Sequence, residues 1–389
     1  MPLHFSPDQI QTPLYHFEHQ AMACDWEIWI AHEDDEYARQ AAFAAWEEVD
    51  RIETDLSRFR EGSDVRRLNG AAPGETIRVG LHARECLLLA GEISGLTGGA
   101  FEPMVARAMD EIRAGRPSGP DLLPLEPLLE IDPLNGAVTI LGEGVALDFG
   151  ALGKGYAIDC LIEILREWNI ESALAHAGTS SVYALGTPPE SDGWPLALRH
   201  PQDEASIITT LILRDAALGG SGFDVKGRHI LDPRSGLQVE GKIASWCLCQ
   251  SAARADAFST AFLVMNRDEI TEFSQNLPHV SGLVLEESNA GVIDYRWGAF
   301  ENLELNSEAL RAKLSSETNA VPHIATDPLL QKHLNQRVTI VWKDQIRRSG
   351  ILSAASRDWL QLQSDDGLQL LVPREAISWL EIENASLQT

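Results

Sequence analysis

The sequence predicts an α+β domain followed by a small all-β domain. In residues 1–325, helix-like and strand-like segments are interleaved without a regular βαβ repeat, which favours an α+β fold. The polar segment 326–335 has no strong period and marks the predicted boundary. Residues 326–389 then contain five short alternating segments separated by turn residues, a pattern typical of a small closed barrel of the SH3-like or Sm-like type.

The first half of the large domain begins with a strand and two helices. The segment CDWEIWIA alternates as a strand does, and YARQAAFAAWEEVDRIETDLSRF repeats apolar residues at helical spacing. HARECLLLAGEISGLTGG predicts a second helix, which Gly98 and Gly99 would end as a C-cap. A proline-rich loop, RAGRPSGPDLLPLEPLLEIDP, then leads to the hairpin-like segment GAVTILGEGVALDFG.

The second half of the large domain consists of a helix, a series of short strands and another helix. Apolar residues form one stripe from Tyr156 to Trp168, so a helix is predicted there. ESALAHAG, SVYALG, SIITTLILR and KIASWCLCQSA are short and β-rich, and RADAFSTAFLVM predicts the last helix. Beyond the boundary, the five predicted strands are RVTIVWK, RRSGILSAA, DWLQLQS, LQLLVP and AISWLEI.

The charge of the chain argues against two classes of partner. A formal net charge of −27 would repel nucleic acids and anionic membranes. The first twenty residues contain no basic segment followed by an apolar one, and neither a signal peptide nor a lipobox is visible, so a cytoplasmic location is expected. No stretch of about 20 apolar residues is present, so no transmembrane segment is predicted.

The segment LDFGALGKGYAID, Leu147 to Asp159, places a lysine among three glycines where a helix is predicted to begin. Its spacing is not that of a P-loop. Backbone N–H groups at such a helix N-terminus can hold a phosphate or pyrophosphate, and Lys154 would add positive charge. A strand-to-helix turn with a solvated lysine would show the same pattern.

Two further segments contain residues suited to metal binding or proton transfer. Asp256 and Thr260 stand four residues apart on a predicted helix, so their oxygens could share one Mg²⁺ with ligand phosphates, although an aspartate there could also be a cap. In GRHILDPRSG, His229 precedes the turn at Asp232 and could accept a proton in the same site, or be structural. The loop LGGSGFD, which contains Ser221, would face that region or simply connect a hairpin.

In their order and context, these motifs resemble the ApbE-like FAD:protein FMN transferases. The likeness includes LSRFREGSDVRRLN and GGAFEP upstream, and it covers roughly residues 15–320. It implies an ApbE-like, T-fold-related domain. It also implies a Mg²⁺-dependent enzyme that cleaves its substrate FAD, transfers FMN through a phosphoester bond to a Thr or Ser of an acceptor protein, and releases AMP.

The resemblance also implies roles for particular residues. Asp256 and Thr260 would be metal ligands, together with a backbone carbonyl near Ala151. His229 would be the base that activates the acceptor hydroxyl, and Asp232 would belong to the same site. The residues expected to bind FAD are Met22, Phe59 (by stacking on the flavin), Glu102, Gly150, Gly153, Lys154, Gly155, Gly178 and Ser221.

Several positions depart from the family pattern. Its Met-Gly-Thr reads Met22-Ala23-Cys24 here, and its Gly-Gly-Asp reads Gly178-Thr179-Ser180. Two alternative functions therefore stay open: hydrolysis of FAD to FMN and AMP, and a catalytically degenerate flavin-binding scaffold. An acceptor motif of the Ser/Thr-Gly-Ala-Thr type is absent from the sequence, so no self-flavinylation is expected. The small domain is expected to dock the acceptor protein or to mediate self-association, which leaves a homo-oligomer open.

Overall fold

A computed structural model of the chain describes residues 3–5 and 13–310, together with five strands between 337 and 382. Within 13–310 it does not describe 115, 117–118, 124–126, 190, 202, 223–229, 289–290 and 307–309. The chain divides into two compact units, Met1–Ala312 and Lys313–Thr389. The boundary predicted after residue 325 lies outside the described residues and stays a prediction.

The first unit is built from helices α1 to α7 and strands β1 to β14. The helices are α1 Asp35–Leu56, α2 Asp64–Asn69, α3 Leu81–Leu96, α4 Ala106–Arg113, α5 Gly153–Glu167, α6 Ala252–Val264 and α7 Arg267–Asn276. The strands are β1 Leu3–Phe5, β2 Leu14–Ala21, β3 Cys24–Ala31, β4 Thr76–Arg78, β5 Leu129–Ile131, β6 Ala137–Ile140, β7 Ala173–Ala177, β8 Ser181–Leu185, β9 Trp194–His200, β10 Asp203–Leu213, β11 Ala216–Gly222, β12 Lys242–Cys249, β13 Ser281–Ser288 and β14 Gly291–Trp297.

The centre of the first unit is an eight-stranded antiparallel sheet covered by helices. Its strand order is β14-β13-β12-β11-β8-β7-β3-β2. Helix α1 contacts β2, α5 contacts β7 and β8, and α6 contacts β11 and β12, while α5 also contacts both α1 and α6. The result is a mixed architecture of a sheet and a helical layer, as the sequence predicts. Two three-stranded sheets, β1-β9-β10 and β4-β6-β5, complete the unit.

The sequence explains why the helical layer forms. Asp34 caps α1 by accepting from the amides of Glu36 and Tyr37. The apolar stripe of α1, from Ala38 to Leu56, is buried against the rest of the core. Helix α6 is buried on nearly all sides, which its many alanines permit because a small side chain lets neighbouring backbones come close.

The prediction that GAVTILGEGVALDFG forms a hairpin is wrong. Its first part forms β6, but β6 pairs with β4 and β5. Residues 141–149 contain no strand, because their backbone groups bond elsewhere. The side chain of Asn69 accepts from the Leu147 amide at 2.7 Å and donates to its carbonyl at 3.0 Å, and the Asp148 amide donates to the Pro103 carbonyl at 2.8 Å.

The second unit contains the five strands that the sequence predicts: β15 Arg337–Trp342, β16 Arg347–Ala355, β17 Trp359–Gln363, β18 Gln369–Pro373 and β19 Ile377–Ile382. They form one antiparallel sheet in the order β18-β17-β16-β15-β19. Within the described residues no pairing joins β18 to β19, so the closed SH3-like or Sm-like barrel is not shown.

Among the described residues, no helix has both the length and the apolar character needed to cross a membrane.

The turn between β2 and β3 has an unusual backbone for its sequence. Ala21 pairs with Cys24, so the loop has two residues, Met22 at φ 49° and Ala23 at φ 58°. Two positive φ angles are what a type I′ hairpin turn requires, and Gly or Asn normally supplies them. A residue with a Cβ in this region costs roughly 1–2 kcal/mol. The turn therefore carries backbone strain.

We expect the substitution Ala23→Gly to stabilise the protein by about 1 kcal/mol, because glycine adopts this φ without strain. Urea unfolding of the two proteins measures the difference. Ala72→Gly is the matched control: Ala72 is an exposed loop residue outside the left-handed region, so glycine there should leave stability unchanged or lower it. A loss of stability in both variants would contradict the expectation.

Candidate functional site

A cleft of about 540 Å³ lies where the β2–β3 turn, the start of α5, the β7–β8 turn, β11 and α6 meet. Residues 100–109 and 230–233 also contribute to the lining, so seven separate segments of the chain converge there. The predicted site residues that line the cleft are Met22, Glu102, Gly150, Ala151, Lys154, Gly178, Ser221, Asp256 and Thr260.

The other predicted site residues lie elsewhere. Gly153 and Gly155 are buried in the first turn of α5 and do not line the cleft. The Phe59 side chain is 77% exposed, with the Arg58 guanidinium 4.4 Å from its ring centroid. Asp232 does not line the cleft either, and His229 is outside the described residues. Flavin stacking by Phe59 and the base role of His229 stay predictions.

Asp232 is engaged by its neighbour in the turn. Its carboxylate accepts from the Arg234 amide at 2.8 Å and from the Arg234 guanidinium at 2.9 and 3.1 Å. The same guanidinium donates to Glu269 at 2.6 Å, which ties the turn to α7. Leu231 and Pro233, on either side of Asp232, do line the cleft. The turn thus places the backbone around Asp232 at the cleft while its carboxylate holds an ion pair.

Asp256 is the most buried acid of the cleft, and its carboxylate is held by hydrogen bonds. Ser181 donates to Oδ1 at 2.6 Å and to Oδ2 at 2.8 Å, and the Gly155 amide donates to Oδ2 at 2.9 Å. Burial raises the pKa of Asp256 to about 6, an increase that Lys154 and these donors oppose. At neutral pH the group is therefore an anion whose donors leave lone pairs for a cation.

Hydroxyl groups surround the next turn of α6. The Thr260 hydroxyl donates to the Asp256 carbonyl at 3.2 Å and lies 3.0 Å from the Ser221 hydroxyl. Ser221 also lies 2.9 Å from the Ser259 hydroxyl. These bonds hold the hydroxyls of Thr260 and Ser221 together, and both residues line the cleft with Asp256.

The glycine turn before α5 forms the neighbouring wall. The Gly150 amide donates to Asp148 Oδ1 at 2.8 Å, and Lys154 Nζ lies 3.5 Å from the Gly150 carbonyl. Asp148 is also ion-paired to Arg58 Nε at 3.1 Å, while Arg58 binds Asp110 through both terminal nitrogens. The wall therefore has a fixed acid, Asp148, and a partly exposed lysine, Lys154.

Glu102 adds a third carboxylate to the lining. It accepts from the Met104 amide at 3.1 Å and from the Ser94 hydroxyl at 3.3 Å. Burial raises the pKa of Glu102, and these two donors oppose the increase. With Asp148 and Asp256 it makes the cleft acidic, which fits a site that takes up a cation with its ligand.

Two glycines let α6 reach its position. A Cβ on Gly155 would lie 2.2 Å from the Ala252 carbonyl oxygen, and a Cβ on Gly219 would lie 2.4 Å from the Ala255 backbone. Real side chains do not come so close, so α5 and β11 need glycine at these two points. Gly155 therefore acts on the site through helix packing rather than by lining the cleft.

Sequence reasoning missed two residues of the site. Ser181 holds both oxygens of Asp256, but a serine at the start of a buried strand carries no distinguishing signal. Asp148 lines the cleft, and its place in the motif before the glycines could have indicated it.

The model of the ApbE family matches residues 22–284 of this chain. The chain belongs to the ApbE family. A Vibrio cholerae protein named FAD:protein FMN transferase is 23% identical over 286 residues, which are 65% of this chain and 83% of that protein. A Klebsiella pneumoniae protein of the same name is 27% identical over 230 residues, 54% of this chain and 71% of that protein. These names confirm the predicted family and transferase class.

Solved structures of ApbE proteins share the fold. The ApbE protein of Thermotoga maritima matches with a TM-score of 0.65 and 25% identity, over 75% of this chain and 99% of that one. The flavin transferase ApbE of Vibrio cholerae matches with a TM-score of 0.64 over 75% of this chain and 100% of that one, and its 19% identity makes this a likeness of fold.

The donor set suits the predicted Mg²⁺. The cleft presents the Asp256 carboxylate, the Thr260 hydroxyl and the backbone of Ala151, all of which offer oxygen. Mg²⁺ prefers oxygen ligands and is usually bound by one or two carboxylates plus water and substrate phosphates. No group of three His, Cys, Asp or Glu side chains suited to a metal occurs in the described part of the chain.

We expect Gly155→Ala to cost at least about 2 kcal/mol of stability, because the added Cβ would overlap the Ala252 carbonyl and force α6 away from α5. Thermal and urea unfolding measure the loss. Gly91→Ala on the exposed side of α3 is the control: no heavy atom lies within 4 Å of its Cβ, so alanine should stabilise that helix by about 0.5–1 kcal/mol. Wild-type stability of Gly155→Ala would show that the helices do not need this contact.

Proposed function

We propose that the chain is a Mg²⁺-dependent FAD:protein FMN transferase, which cleaves FAD, transfers FMN to a Thr or Ser hydroxyl of an acceptor protein and releases AMP. The observation that carries the proposal is the Asp256 carboxylate, buried yet facing the cleft, with Thr260 and Lys154 beside it. The names of the curated relatives support the substrate and the reaction.

Charge balance supports the need for a cation. The pyrophosphate of FAD brings about two negative charges to a lining that already contains Glu102, Asp148 and Asp256. Lys154 supplies one positive charge, and Arg58 is engaged by Asp148 and Asp110. Without a further cation the pyrophosphate would be repelled. Bound Mg²⁺ would neutralise charge on the phosphates as the P–O bond breaks.

The residues of this chain would bind and orient the substrate. The glycine turn and the N-terminus of α5 would receive the pyrophosphate, with Lys154 beside it, because the positive end of the helix dipole and the charge of the lysine favour an anion. Asp256, Thr260 and the carbonyl of Ala151 would hold the metal. Ser181 and the Gly155 amide would keep the Asp256 carboxylate in one orientation.

Proton transfer is assigned to His229. A neutral imidazole would accept the proton of the acceptor hydroxyl as that oxygen attacks the phosphorus of the FMN half. The oxygen–phosphorus bond forms while the pyrophosphate bond breaks, and AMP leaves. Asp232 is assigned to the same region because the residues flanking it line the cleft. Docking of the acceptor by the second unit stays a prediction.

We expect Asp256→Asn to lower AMP release and FMN transfer by at least about a hundredfold, because an amide cannot replace a charged metal ligand. The assay incubates the protein with FAD, Mg²⁺ and a peptide containing Ser/Thr-Gly-Ala-Thr, and follows AMP, free FMN and the peptide mass. Removal of Mg²⁺ with EDTA should abolish the same activity in the wild type.

Asp268→Asn is the matched control, since Asp268 is an exposed aspartate in the first turn of α7 and does not line the cleft. It should leave the rate unchanged. AMP with free FMN and an unmodified peptide would indicate hydrolysis instead of transfer. FAD binding without AMP release, with or without the peptide, would contradict the proposal and favour the flavin-binding scaffold.

A further inference from the structure

Asp159 joins helix α5 to the N-terminus of α6. Its Oδ1 accepts from the Ala252 amide at 2.7 Å, and its Oδ2 accepts from the Ala253 amide at 3.0 Å and from the Ser251 hydroxyl at 2.7 Å. Ser251, the N-cap of α6, covers the next amide, that of Arg254. The amides that a helix leaves unpaired at its N-terminus are thus shared between a residue of α6 itself and a residue of α5.

The opposite arrangement holds at the N-terminus of α5. That helix begins at Gly153, and no side chain of its own N-cap residue makes a capping bond. The amide of its third residue, Gly155, is satisfied by Asp256 of α6 at 2.9 Å. Each helix therefore has an N-terminal amide bound by a carboxylate of the other.

The spacing makes these two bonds act as one unit. Gly155 and Asp159 are four residues apart on α5, and Ala252 and Asp256 are four residues apart on α6. Residues four apart lie on one face of a helix. Gly155 also packs directly on the Ala252 carbonyl, so the two carboxylates lie on either side of a backbone contact. Translation or rotation of α6 would have to break all three contacts together.

We propose that Asp159 is a positioning residue for the metal site. By fixing the first turn of α6 against α5, it sets where Asp256 and Thr260 stand at the cleft, one and two turns further along. Asp159 does not line the cleft, so it acts only through α6. The inference rests on the proposed function for the identity of the cation, and on the reciprocal contacts for the mechanical role.

The test measures binding of Mg²⁺ alone to Asp159→Ala by isothermal titration calorimetry, with no flavin present. Loss of a residue that orients a metal ligand typically weakens metal binding by about 10–100-fold, and a decrease of at least tenfold is expected. Asp159→Asn keeps the size and one acceptor oxygen, so a smaller decrease is expected from it. Circular dichroism and thermal unfolding confirm that each variant is folded.

Glu163→Gln is the matched control. Glu163 is the next carboxylate on α5, and it is ion-paired with Arg166 at the surface. Its substitution removes the same charge from the same helix without touching α6, so Mg²⁺ affinity should stay within about twofold of the wild type. A decrease equal to that of Asp159→Ala would show a general charge effect and overturn the inference.

A double variant separates positioning from simple helix capping. In Asp159→Ala/Ser251→Asp, a carboxylate returns to the α6 N-terminus on its own N-cap residue, but the connection to α5 is absent. We expect the double variant to regain thermal stability while its Mg²⁺ affinity stays low. Recovery of both properties would show that Asp159 is only a cap.

Hydrogen exchange at the Gly155 amide gives a readout independent of the metal. If α6 loosens, the bond from this amide to Asp256 opens more often, so exchange in Asp159→Ala should be at least tenfold faster than in Glu163→Gln. Equal exchange rates would overturn the inference. If the wild type binds Mg²⁺ neither alone nor with FAD present, the metal part of the proposed function fails, and this exchange ratio alone decides the positioning role.

Discussion

The close approach of α6 to α5 and β11 is the constraint on which the site depends. It requires glycine at Gly155 and Gly219, because a Cβ at either position would overlap the backbone of α6. The residues of α6 at these two contacts are alanines, Ala252 and Ala255, so the helix adds little side-chain bulk there. Asp256 and Thr260 belong to α6, and their positions at the cleft therefore follow from backbone packing more than from the loops around them.

The same packing explains how an anion is kept inside the protein. Among the described contacts no cationic side chain lies within ion-pair distance of Asp256. Its carboxylate is bound by a hydroxyl and a helical amide, and Lys154 stabilises the charge from further away. Such dipolar partners make a buried carboxylate tolerable without using up its capacity to bind a cation. The raised pKa of Asp256 shows that this compensation is incomplete. A cation entering with the substrate would remove the remaining cost, so the binding of the two is expected to be coupled.

The sequence predicted those parts of the site that depend on local spacing. Asp256 and Thr260 at i and i+4, and Lys154 at the start of a helix, follow from helical periodicity, and the structure brings all three to one cleft. The wrong hairpin before α5 has a non-local cause, since Asn69 takes the hydrogen bonds that a strand partner would have made. Ser181 could not be predicted for a similar reason, because its hydrogen-bond partner, Asp256, is 75 residues away in the sequence.

The departures from the family pattern differ in physical cost. Gly178 keeps a positive φ of 59°, whereas Thr179 and Ser180 are outside the left-handed region, so replacing the second glycine creates no backbone strain there. Ala23 does stand at positive φ, and the strain is therefore in the β2–β3 turn. Ser180 in place of an aspartate removes one negative charge from an already acidic lining, which lowers the repulsion that a pyrophosphate meets. The backbone of the β7–β8 turn thus gives no reason to expect a degenerate site.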